Sequence, residues 1–176
     1  VHWRHLSTCV LACCVALTRC TSSSSLPGTS LGTFSVVGTL KSNTCGSGVG
    51  AANPWNFTLE MSNDSGTLYL EQSGSTNQMS GTLSGTNATV TSVVTTNADA
   101  TEAGAGTCNL TTTTTFTVDL NSSSSPTSFS GTAVYTDEVS TTVSSTTNCT
   151  DQLSSSGGMY DTLPCTVSYT LSATKQ

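Results

Sequence analysis

The side chains that could do chemistry are few and unevenly placed. A Ser-His-Asp arrangement needs an imidazole base, and both histidines, His2 and His5, stand in the first five residues. A Ser–Lys pair would have to use Lys41 or Lys175. The first opens a loop and the second sits beside the last residue. With 30 Ser and 36 Thr among 176 residues, a serine near a lysine carries no signal. A catalytic cysteine would also lack a histidine to activate it.

The carboxylates are more numerous. All ten Asp and Glu lie between Glu60 and Asp161. Asp137 and Glu138 are neighbours on an expected strand, so they face opposite sides and cannot flank one glycosidic bond. Asp151 and Asp161 share a long loop and could converge with Glu71 or Glu102 at one end of the molecule. That convergence would suit a carbohydrate-active hydrolase; otherwise these are solvated loop acids, and the expectation is a protein that is not an enzyme.

Metal and cofactor chemistry find little support. Asn97, Asp99 and Glu102, like Asn148, Asp151 and Asp161, offer oxygen ligands that calcium accepts. Neither run has the D-x-D-x-D-G spacing of a calcium loop. Gly46-Ser47-Gly48-Val49-Gly50 superficially suggests a dinucleotide loop, but that motif needs a following helix, and Pro54 and a strand follow instead. It reads as a flexible loop at a barrel mouth. No metal and no cofactor is expected.

Charge narrows the partners. After residue 20 the chain has two Lys, ten Asp or Glu, and no Arg or His. Gripping phosphates requires Lys or Arg clusters, so no nucleic-acid partner is expected. Attraction to anionic lipid headgroups fails for the same reason.

Eight cysteines fall into two sets. Cys9, Cys13, Cys14 and Cys20 belong to the N-terminal segment. Cys45, Cys108, Cys149 and Cys165 belong to the body, where an even number in an exported domain reads as two disulfides with three pairings open. Zinc sites use short C-x2-C pairs, and none of these four stands in one.

The N-terminal segment reads as an address. Trp3-Arg4-His5 is a weakly basic start, and Leu6 to Thr18 is an apolar run of signal-peptide length, too short to span a bilayer. Residues 1–20 are therefore expected to be a signal peptide of lipoprotein type, with Cys20 as the lipidated residue. Residues 21–31, opening with Thr21-Ser22-Ser23-Ser24-Ser25, would form a flexible tether. Lipoprotein signals carry Gly, Ala or Ser just before the cysteine; here Arg19 stands there. Val10-Leu11-Ala12-Cys13 fits that local pattern better but leaves a very short apolar run, and an ordinary secretory signal cleaved near residue 20 is the other reading.

The elements that must position any site are strands. From residue 32 to 174 the chain reads as a single β domain. Apolar residues alternate with Ser and Thr along Phe34–Leu40, Trp55–Met61, Leu68–Leu70, Met79–Leu83, Ala88–Val94, Leu110–Leu120, Phe129–Tyr135 and Val167–Ala173. Successive strand side chains face opposite sides, so each segment has one apolar and one hydroxyl face. Thr suits a solvated sheet face. Asn63-Asp64-Ser65-Gly66, Ser84-Gly85-Thr86-Asn87 and 121–126 are short polar turns. In a meander these share one end, while the segments 41–54, 71–77, 97–107 and 140–163 share the other and hold or border all four body cysteines.

Eight such strands suit a small antiparallel up-and-down barrel of the lipocalin or streptavidin kind; the alternative is a two-sheet β-sandwich. Closure is favoured because the strands lack the Lys and Pro that blunt exposed edges. In a closed barrel the end of the first strand, at Cys45, lies near the start of the last, at Cys165. Cys45 and Cys108 are each expected to reach the 149–165 region, with the pairing open. An outer-membrane barrel would turn its apolar face to lipid and needs aromatic girdles; aromatic residues are 6% of this chain. The binding candidates are Trp55, at the start of its strand, and Tyr160, in the last long loop; for Trp55 the other role is to close the core.

From about Gly32 to Leu171 the order of features resembles a family of uncharacterised exported proteins and lipoproteins of myxobacteria and related deltaproteobacteria. The matching stretches are Ser42-Asn43-Thr44-Cys45-Gly46, Trp55-Asn56-Phe57, Gly66-Thr67-Leu68-Tyr69, Gly81-Thr82-Leu83, Gly131-Thr132, Asn148-Cys149 and Leu163-Pro164-Cys165. The resemblance implies export and paired cysteines, and it implies no activity. The expectation is thus an exported cell-envelope protein, an outer-membrane-anchored lipoprotein or a secreted one, with a binding or structural role towards a small ligand or surface partner.

Overall fold

A computed structural model describes residues 26–98, 108–140, 149–154 and 159–176. Eight strands follow in chain order: β1 (Thr29–Asn43), β2 (Trp55–Asp64), β3 (Thr67–Gln72), β4 (Gln78–Ser84), β5 (Asn87–Ala98), β6 (Cys108–Leu120), β7 (Ser128–Val139) and β8 (Cys165–Lys175). Each pairs antiparallel with its neighbours in sequence, and β8 pairs antiparallel with β1 to close an up-and-down barrel. Closure leaves no strand edge open, which is how a sheet with so few edge-blunting charges avoids pairing with other chains. Among the described residues no helix is long and apolar enough to cross a membrane.

The alternation that marks the strands in the sequence is the inside–outside alternation of the barrel. Phe34, Val36, Leu59, Leu70, Val90, Phe116, Ala133 and Leu171 are buried in its interior. The hydroxyls stand on the outer face and pair across strands: Thr95 with Thr111 at 3.1 Å, Thr117 with Thr132 at 2.6 Å, and Ser42 with Ser168 at 2.6 Å. Such cross-strand Thr pairs are a usual form of sheet stabilisation.

β1 starts at Thr29, inside the stretch expected to be tether, and Leu31 is buried. The pairing with β2 shifts between Ser30 and Gly32, and this irregularity takes Leu31 out of the alternation followed by the rest of the strand. The tether expectation therefore fails for residues 29–31.

The tight turns lie at one end of the barrel. Asn63 accepts the Gly66 amide through Oδ1 at 3.0 Å, and Asn121 Oδ1 accepts the amides of Thr127 at 2.9 Å and Ser128 at 3.2 Å. Such Asx contacts stand in for the missing ladder bonds of a turn. The Phe34 and Phe129 rings, 5.6 Å apart and edge to face, pack the interior towards this end. At the opposite end lie, among the described residues, a 3-10 turn (Ser47–Val49) and a short helix, α1 (Cys149–Ser154).

Candidate functional site

Towards the long-loop end the barrel lining changes character. Along β7 the inward positions run Phe129, Gly131, Ala133, Tyr135 and Asp137; the partners on β8 run Ala173, Leu171, Tyr169, Val167 and Cys165. Aliphatic packing thus gives way to phenols and then to an acid. Trp55 joins this level as the first residue of β2, paired with Gly38. A side chain at position 38 would press on the indole, its Cβ 3.1 Å from Cε3 of Trp55, so the glycine leaves room for the ring.

The rings touch one another. Trp55 stacks on Phe57 with centroids 3.9 Å apart, tilts against Tyr169 at 5.1 Å and meets Tyr135 edge to face at 5.7 Å. Above them lies a cavity of about 330 Å³. Trp55, Tyr135, Tyr169 and Val167 form its apolar wall, Thr112 and Asp137 contribute polar groups, and the chain from Val49 to Ala52 passes over it. A small, mainly apolar space with few convergent polar groups is the usual form of a small-molecule site. A larger depression of about 560 Å³ beside Thr89, Thr117 and Gly131 is lined mostly by exposed side chains; its acid, Asp119, is itself exposed and accepts from Thr86 Oγ1 at 3.1 Å.

Asp137 is the focus of the site. It is 8% exposed. It accepts a hydrogen bond from Thr112 Oγ1 at 2.6 Å and another from the Tyr160 hydroxyl. Tyr160 is held in turn by its amide, which donates to the Leu153 carbonyl on α1 at 3.2 Å. The disulfide Cys108–Cys149 ties α1 to the start of β6. The second disulfide, Cys45–Cys165, joins β1 to β8 beside Asp137, with the two sulfurs and a carboxylate oxygen within 4.8 Å of one another. Because both sulfurs are committed to the disulfide, they are not thiolates and this group cannot hold a metal.

The glycine loop 46–50 lies at the mouth as expected, but as a packed turn rather than a free loop. Asn43 Nδ2 donates to the Gly46 carbonyl at 3.0 Å, and the Asp161 amide donates to the Cys45 carbonyl at 2.8 Å. Gly48 lies so close to the Met159 carbonyl that a side chain there would clash.

Burial acts on all three phenols. Tyr135 is pushed up by desolvation and by the neighbouring Tyr169, and Tyr169 by desolvation. Tyr160 is pushed up to about 12, first by burial and then by the charge and hydrogen bond of Asp137. The phenols therefore remain protonated at neutral pH, and Tyr160 can donate to the carboxylate. A raised phenol pKa favours the folded state in full below the unfolded value of about 10 and is lost as pH climbs through the folded value. Stability should thus fall between pH 10 and 12, and Tyr160→Phe should make that fall shallower. Urea midpoints at pH 9 and pH 11.5 check this; equal losses in the two proteins would remove Tyr160 from the account.

The expected site residues divide. Trp55 lines the cavity, whereas Tyr160 stands behind Asp137 and positions it. The four body cysteines form the two disulfides, in the pairing 45–165 and 108–149. Of the acids proposed to converge, Asp161 is exposed with its carboxylate over Gly46, and Glu71 lies on β3 opposite Glu60. Asn97 lies near the end of β5. Cys20, Asp99, Glu102 and Asn148, and the side chain of Asp151, lie outside the described residues. Sequence reasoning missed Asp137, Thr112, Tyr135 and Tyr169 as site residues. The signal was present: carrying the alternation 129, 131, 133, 135 one step further puts Asp137 inside.

No protein-family model matches the chain, and neither the curated proteins nor the solved structures yield a match. The site is therefore read from its own geometry.

Proposed function

We propose that this is an exported binding protein that takes a small ligand at the long-loop mouth of its barrel and is held to the cell envelope through lipid on Cys20. The observation that carries the reading is the cavity of about 330 Å³, walled by aromatic rings and focused on a buried acid. Export is supported by the two disulfides, which are consistent with an oxidising extracellular environment. The apolar run closed by Cys20, the Ser-rich stretch after it and the resemblance to exported lipoproteins support it further. Among the described residues the cavity lining includes one carboxylate, and glycoside hydrolysis canonically uses two flanking the bond, so binding fits this mouth better than hydrolysis.

Trp55 reports on the site directly, because the only other tryptophan is Trp3. In a Trp3→Phe chain, a neutral aromatic probe such as benzyl alcohol should change Trp55 emission saturably. Val167→Phe places a further ring in the cavity and should abolish the response while thermal unfolding remains cooperative. An unchanged response in that variant would move the ligand away from the mouth. For the anchor, the intact mass of the mature chain should correspond to a lipidated Cys20 start; an unmodified Cys20 would contradict it.

A further inference from the structure

We infer that the mouth cavity selects a small organic ammonium, a protonated amine carrying an apolar or aromatic portion, with Asp137 as counter-ion and the rings of Trp55, Tyr135 and Tyr169 as its wall. The inference rests on the reading of this cavity as a ligand site and adds the chemical class of the ligand.

A carboxylate removed from water is expensive unless it is paired and hydrogen-bonded. Among the described residues the two donors that reach Asp137, Thr112 and Tyr160, are both neutral hydroxyls. Among the described residues no Lys, Arg or His lines the cavity. An ionised carboxylate offers about four acceptor positions, and the two hydroxyls leave acceptor capacity on the carboxylate. An ammonium supplies both missing features, a positive charge and several N–H donors.

The wall completes the match. Aromatic faces attract cations through their quadrupoles, and Trp does so best. The apolar portion of an amine would lie against the same rings and Val167. An anion entering the cavity would meet Asp137 with no cation to offset it, so it is rejected by charge. The whole molecule acts in the same sense: its net charge of −6 favours the approach of cations. A neutral polyol would need several polar side chains to replace its hydration, and apart from the phenols the lining supplies Thr112 and Asp137.

The test compares three probes of similar shape, benzylamine, benzyl alcohol and benzoate, by Trp55 fluorescence in the full-length Trp3→Phe chain at pH 7. Benzylamine should bind at least about tenfold more tightly than benzyl alcohol, a difference of about 1.4 kcal/mol, and benzoate should not bind. Asp137→Asn, which keeps the size and acceptor of the side chain, should bring benzylamine and benzyl alcohol to equal affinity. The probe comparison decides on its own if that variant does not fold. Benzyl alcohol or benzoate binding as tightly as benzylamine would overturn the ammonium inference and leave the ligand site standing. No response to any of the three would overturn both.

Discussion

Replacing Cys45 and Cys165 together by alanine should lower stability by about 3 kcal/mol, the middle of the range for native disulfides. For a domain of this size that is a fall of roughly 10 °C in Tm. The bridge links residues 120 apart, whereas Cys108–Cys149 links residues 41 apart. The chain-entropy account makes the longer bridge the more stabilising by about 1 kcal/mol. The folded state agrees with this reading, because the ends of β1 and β8 are already joined without it. The Thr44 amide donates to the Thr166 carbonyl at 2.8 Å, and the Thr166 amide donates to Thr44 Oγ1 at 2.8 Å. The bridge therefore acts chiefly by restricting the unfolded chain. Its loss should also weaken probe binding at the mouth, since Asp137 pairs with Cys165 and the Cys45 carbonyl anchors the Asp161 segment. Thermal melts of the two double variants check the order; a larger loss on removing Cys108–Cys149 would contradict it.

Most of the barrel was legible because a half-buried strand writes its two faces into alternate residues. Leu110, Phe116, Val118 and Leu120 show it on β6, and Val167, Tyr169, Leu171 and Ala173 on β8. The absence of edge-blunting residues correctly favoured closure over a sandwich. Two features escaped. Leu31 lies beyond a shift in register that breaks the parity of β1. The helix Cys149–Ser154 is six residues long, under two turns, too short to show an apolar stripe at helical spacing.

The site was less legible, for a different reason. Periodicity states which face a residue occupies, not what meets it there. Asp137 belongs to the inner face by simple counting, yet its significance comes from Thr112 on a neighbouring strand and Tyr160 from a loop. Tyr160 was singled out as a ligand contact, whereas in the structure it hydrogen-bonds Asp137 and does not line the cavity. The pairing of the cysteines was half visible: closure brings Cys45 to Cys165 by topology, while Cys108–Cys149 depends on where α1 settles.

The largest single-residue effect should come from a position with no chemistry at all. A Cβ placed on Gly131 would fall closer than 3.0 Å to the Thr117 carbonyl oxygen, and one on Gly81 would do the same to the Thr89 carbonyl oxygen. Thr89 and Thr117 are partners across β5 and β6, so the two glycines flank one line across four strands. The ladder is disturbed along that line. The Thr132 amide donates to the Thr117 hydroxyl at 3.2 Å, and the β4–β5 pairing is interrupted at Gly81 and Thr82. Glycine kinks of this kind let a sheet turn the corners of a barrel. At an unstrained position Gly→Ala gains about 0.4–1 kcal/mol by restricting the unfolded chain. Here the sign should reverse, because the obstruction is backbone and no rotamer relieves it. Gly131→Ala is expected to cost about 3 kcal/mol, and Gly131→Val should prevent folding of a domain whose total stability is of the order of 5–15 kcal/mol. Ser130→Ala, one residue away on the exposed outer face, should stay within about 0.5 kcal/mol of the parent. Denaturant midpoints decide: a Gly131→Ala chain as stable as its parent would mean that the barrel turns its corner elsewhere.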